Sequence, residues 1–171
     1  MEQASVVRAA TVVAAGALLD AVLSPYLTFG FFSPKLALIA VVFAVSPLRD
    51  LQAVLLGFFG GILLDALGSD LFGVGAIGGL FAATLSARAS AVRRKGTERV
   101  LLAQVVGLAV AGYDLLGYTA RWLAGLGVPS LGEYTVVGVL PDAAINTLLA
   151  FLIGGWLLKI VNVKPQAWEN R

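Results

Sequence analysis

The chain has 171 residues, of which 59% are hydrophobic and 13% charged, with a mean hydropathy of +0.92 and a net charge of +2. A soluble domain carries about 25% charged residues, so the composition excludes a soluble fold and describes an integral membrane protein, residues 1–171 forming one polytopic domain. The small net charge gives no footing for nucleic acid. Cysteine and histidine are both absent. Their absence removes disulfides, thiolate and imidazole metal sites, the usual nucleophile and the usual general base. Neither a cofactor, a metal nor an enzymatic activity is expected.

The first apolar run, residues 6–23, is long enough to span and carries Arg8 near its start and Asp20 near its end. It stops at Ser24-Pro25 without the small-x-small site of a cleavable signal. Pro25, Gly30 and Pro34 then frame an aromatic-rich connection, residues 26–32, of the kind found at a membrane interface. The run 36–45, bounded by Pro34 and Pro47, falls below the roughly 17–25 residues of a straight span unless 29–32 are drawn in.

Arg49 and Asp50 open the third run, 51–67, and a Gly68-Ser69-Asp70 turn leads to the fourth, 71–87. On a helix Gly57, Gly61 and Asp65 share one face at four-residue steps, and Gly75 and Gly79 supply a second small-xxx-small pair. The two runs read as a tight transmembrane hairpin with an acidic tip. Its glycines let the helices approach closely, so that the acid is covered by protein rather than lipid. Packing within the protomer is preferred to a dimer face.

The dense charge cluster of Arg88, Arg93, Arg94, Lys95, Glu98 and Arg99 follows. A fifth run, 100–126, carries Asp114. The last, 134–161, contains Pro141, Asp142 and Asn146 and leaves through Lys159, Lys164 and Arg171. Six spans with both termini cytoplasmic place all basic residues inside except Lys35 and Arg121, as the positive-inside rule requires. Five spans, with 36–45 not crossing and the N-terminus outside, is the alternative. The basic loop serves first as a topology determinant and secondarily as a site for anionic lipid or a cytoplasmic partner.

In the six-span arrangement Asp20, Asp65, Asp114 and Asp142 all fall in the outer half of the membrane, with Asn146 one turn below Asp142. A charge at the bilayer centre costs at least about 2.5–3.5 kcal/mol, so each acid must be covered, paired, protonated or hydrated. Two readings stand. These five residues form an outward-facing polar cavity, nearly all acidic and suited to a cationic ligand. Or they act separately: Asp20 and Asp70 interfacial, Asp114 paired with Arg121 or protonated, Asp142 complementing the positive end of a helix that starts at Pro141.

The segment Gly61-Ile62-Leu63-Leu64-Asp65, then Gly73, then Ala76-Ile77, resembles the most recognisable stretch of the bacterial rod shape-determining MreD family. The last span, Pro141-Asp142-Ala143-Ala144-Ile145-Asn146, is similar to that family's final helix, and the length and basic loop fit as well. The resemblance implies a non-enzymatic subunit of the wall-elongation machinery in the bacterial cytoplasmic membrane. Such a subunit binds MreC directly, acts with it on the RodA–transpeptidase complex, and is linked to MreB filaments. Gly57, Gly61, Asp65, Gly73, Gly75 and Gly79 would then form the helix-packing or partner-binding motif. MreD-type proteins also resemble the S components of energy-coupling-factor transporters. That likeness implies an S-component-like bundle and, as the alternative function, a membrane subunit that captures a small solute and docks through Ala10, Ala14, Ala17 and Ala21.

Overall fold

Long apolar runs must satisfy their backbone polar groups internally in lipid, which favours helices. The computed structural model describes residues 2–28, 33–68, 71–92 and 96–161, and among these it contains helices and no strand. They are α1 (Glu2–Leu27), α2 (Leu36–Val45), α3 (Asp50–Leu67), α4 (Val74–Val92), α5 (Glu98–Leu123) and α6 (Leu131–Val161). All except α2 are long and apolar enough to cross a membrane. Residues 29–32, Ser69, Asp70, Arg93, Arg94, Lys95, Lys164 and Arg171 lie outside the described residues, so the expectations placed on them stay with the sequence.

Several boundaries differ from those expected. Helix α1 continues through Pro25 to Leu27, and the Thr28 hydroxyl closes its last turn by donating to the Ser24 carbonyl at 2.7 Å. Helix α4 starts at Val74 rather than residue 71, because Gly73 adopts a φ of +102° that ends the preceding turn. It runs on to Val92, so Arg88 sits on a helix. Helix α6 does not begin at Pro141. It begins at Leu131, where Ser130 accepts the Glu133 N–H at 3.3 Å, an N-terminal cap. Thr135–Val139 then form a π-helical stretch. Pro141 has no N–H to give and its ring crowds the preceding turn, and the widened turn just before it accommodates this. Leu140 donates to Thr135 O, five residues back.

Neighbouring contacts set the helix directions. Asp20 meets Ala37 and Gly16 packs on Ala40, so α1 and α2 are antiparallel. Lys35 meets Asn146 and Phe43 lies on Gly154, so α2 and α6 run parallel. Gly107 against Thr147 with Arg99 on Phe151 makes α5 antiparallel to α6, and Gly78 on Tyr113 with Val74 beside Gly117 makes α4 antiparallel to α5. Gly57 against Ala83 and Gly61 against Gly75 do the same for α3 and α4. Helices α1, α3 and α5 therefore point one way, and α2, α4 and α6 the other.

The short α2 is the core of the bundle. Every residue from Ala37 to Val45 is buried, Phe43, Leu38 and Ile39 being among the largest fully enclosed side chains. A 10-residue helix is only about 15 Å long, half the hydrocarbon thickness. The span-length rule applies to a helix facing lipid, and α2 faces protein. Outside it, apolar residues such as Val7, Val22, Leu51, Phe59, Leu152 and Trp156 are exposed on the bundle surface, as expected where the solvent is hydrocarbon. Arg99 belongs to α5, not to the loop. It donates to the carbonyls of Phe151 and Leu152 on α6 and stacks 4.0 Å over the Phe151 ring.

Candidate functional site

The glycine stripe and Asp65 form one structural unit. Gly57 and Gly61 on α3 lie directly on the backbone of Gly79 and Gly75 on α4, where any side chain would collide with main-chain atoms. That contact carries Asp65, 8% exposed, to the start of α4. Its carboxylate accepts three backbone N–H groups: Gly73 at 3.0 Å, Gly75 at 2.7 Å and Ala76 at 3.0 Å. The first N–H groups of a helix have no internal partner and carry the positive end of the helix dipole. Asp65 is thus a cap supplied from the preceding helix. Gly73 takes the positive φ that turns its N–H toward the acid, and Gly75 leaves space for the carboxylate itself.

A second unit holds the non-helical residues that lead into α2 and the first turn of α2 itself. Asp20 accepts the Ala37 N–H at 3.0 Å, Asp142 the Ser33 N–H at 2.9 Å and Asn146 the Lys35 N–H at 2.8 Å. The Asn146 amide donates back to Ser33 O and to Asp142. Buried non-helical backbone is tolerated where protein groups satisfy it; Asp142 and Asn146 do so for Ser33 and Lys35, while Asp20 satisfies the first turn of α2 at Ala37. Asp20, 6% exposed, is therefore buried within the protein. Asp142 lies within a continuous helix and serves the chain opposite, not the dipole of its own helix.

The third unit is ionic. The Lys35 ammonium stands 3.6 Å from Asp114 on α5 and 3.6 Å from Asp142 on α6, with the Tyr113 ring 5.5 Å away. Lys35, expected as an outer loop charge, is thus an ion-pair partner of Asp114. The acids therefore do not form one acidic cavity. They are divided among three units, two of which use them to hold backbone, and in the third a single lysine stands between two of them.

Two cavities flank Lys35. The larger, about 540 Å³, lies toward α1 and the end of α3 and is lined by Asp20, Ser24, Thr28, Leu64, Asp65 and Tyr113 among others. The smaller, about 120 Å³, lies between α5 and the π-helical part of α6, bordered by Asp114, Gly117, Arg121, Tyr134, Gly138 and Asp142. No group of three or more metal-ligating side chains occurs among the described residues. Sequence reading missed Lys35, Tyr113, Gly117, Tyr134 and Gly138. The one available signal was a lone lysine between Pro34 and a wholly apolar run.

These features define a multi-pass α-helical membrane protein in which Asp20, Asp65, Asp114 and Asp142 are buried. Compared with known proteins, the chain matches no family model, no curated protein and no solved structure.

Proposed function

We propose that the chain is a six-crossing, non-enzymatic scaffold of the bacterial cytoplasmic membrane, of the MreD type, with both termini cytoplasmic. In this role it binds MreC directly and through it bears on the RodA–transpeptidase complex and MreB in wall elongation and cell shape. The observation that carries the reading is the use of Asp65. The Gly61, Asp65 and Gly73 positions on which the resemblance rests form one cap-and-packing device that shapes a helical hairpin. A residue pattern whose whole chemistry is spent on backbone suits a scaffold better than a catalyst. The alternating helix directions support six crossings, with the non-helical residues before α2 completing the second. The exposed apolar faces of α1 and α6 offer the surface on which a single-span partner would pack, through close side-chain contact rather than charge.

The test is co-purification of the chain with full-length MreC in detergent, beside its Gly61→Leu variant. Leucine at 61 meets the Gly75 carbonyl and Ala76 backbone, so the hairpin cannot close and the complex is expected to be lost. Wild-type protein that fails to retain MreC refutes the scaffold reading. The larger outer cavity favours one competitor, capture of a small solute for transport, and a solute carried through purification in place of MreC would establish it.

A further inference from the structure

Arg99 carries a charge that the bundle does not balance. It sits in the first turn of α5, and because α5 and α6 are antiparallel it meets the last third of α6. Its Nε donates to the Phe151 carbonyl, its Nη2 donates to the Leu152 carbonyl at 3.4 Å, and the guanidinium lies 4.0 Å over the Phe151 ring. Carbonyls and a ring face attract a cation, but neither supplies a full negative charge. Among the described residues Arg99 forms no ion pair, and its Nη1 group has no hydrogen-bond acceptor. The neighbouring acid, Glu98, has a partner of its own.

A second cation lies on the same face of α6. Residues 152, 155, 156 and 159 follow at the three- and four-residue steps that bring side chains together. Gly155 adjoins the Arg99 Nη1, and Lys159 stands four residues further on, about 6 Å along the helix. Lys159 lies in the last turn, is exposed, and likewise forms no ion pair among the described residues. In the other direction the strip is apolar, with Leu148, Leu152 and Trp156 mostly exposed. Two unbalanced cations at the end of the bundle thus lead into a hydrocarbon-facing strip. A phospholipid with a negative headgroup has its parts in that same order.

We propose that Arg99 and Lys159 together hold the phosphate of an anionic phospholipid in the leaflet at this end of the bundle, with its acyl chains along Leu148, Leu152 and Trp156. The planar fork of an arginine suits phosphate oxygens. Here α6 already fixes the guanidinium, so little side-chain freedom is lost on binding. The site is independent of whether the chain binds MreC and is tested on the chain alone.

The full chain is purified in dodecyl maltoside and titrated with dioleoylphosphatidylglycerol or dioleoylphosphatidylcholine, and bound lipid is followed by native mass spectrometry. Phosphatidylglycerol is expected to be retained and phosphatidylcholine not, and excess inorganic phosphate is expected not to displace the lipid. Lys159→Gln, at an exposed position, is expected to weaken phosphatidylglycerol binding about fivefold, the effect of one basic side chain near a membrane surface. Arg99→Gln keeps an amide to meet the α6 carbonyls and is expected to weaken binding at least as much. Arg88→Gln removes a charge from α4, which does not pack on α6, and is expected to leave binding unchanged. Equal retention of the two lipids, or displacement by phosphate, overturns the proposal. So does an Arg88→Gln loss as large as that of Lys159→Gln, which would mean unspecific attraction to the basic end of the bundle.

Discussion

Replacing Asp65 with alanine is expected to destabilise the protein by about 4 kcal/mol. The carboxylate receives three N–H groups, those of Gly73, Gly75 and Ala76. Gly75 and Ala76 are buried, so no water replaces the lost acceptor there, and a buried donor left unpaired costs about 1–3 kcal/mol. Two of them at about 2 kcal/mol each give the figure. Gly73 is only partly buried, so water can take over its bond and it adds little. Asparagine keeps one acceptor oxygen and is expected to cost about half as much, roughly 2 kcal/mol on the same scale. Equilibrium unfolding in mixed dodecyl maltoside and dodecyl sulfate micelles, followed by circular dichroism and the fluorescence of Trp122 and Trp156, measures both. A cost below about 1 kcal/mol for alanine, or asparagine as damaging as alanine, would refute the cap.

The Lys35 ion pairs are tested by a double-mutant cycle. Lys35→Met strands two buried carboxylates and is expected to cost about 3–5 kcal/mol, with Lys35→Met/Asp114→Asn recovering part of the loss; additivity within about 0.5 kcal/mol would show the pair to be uncoupled. Gly73→Ala is expected to cost roughly 1–2 kcal/mol through backbone strain alone, since its φ is +102° while no atom lies within 4 Å of the new Cβ. A larger loss points to a steric cause and a null result to a relaxed turn. The absence of cysteine makes topology directly measurable. Thr28→Cys is expected to react with a membrane-impermeant maleimide from outside, and Arg88→Cys only after permeabilisation. Protection of Thr28→Cys in intact cells would instead fit five crossings.

Membrane character, the long spans and the glycine-lined hairpin were all legible in the sequence, because hydropathy and four-residue spacing are local properties of a helix. Asp65 was recognisable for the same reason, since its partners lie only 8 to 11 residues ahead. The other acids were not legible. Asp20 serves Ala37, Asp142 serves Ser33 and Asn146 serves Lys35, the last two across 109 and 111 residues. Local pattern says that a buried acid needs a partner but cannot say which backbone group arrives. The role of α2 was hidden likewise. Its length argues against a span only if lipid surrounds it, and tertiary packing alone decides that protein surrounds it instead. Lys35 shows the same limit: a lone cation beside an apolar run looks like an outer-loop residue until α5 and α6 bring two carboxylates to it. Composition and periodicity determined where the chain meets lipid, and the packed bundle decided how each buried polar group is satisfied, because that requirement is met through space and not along the chain.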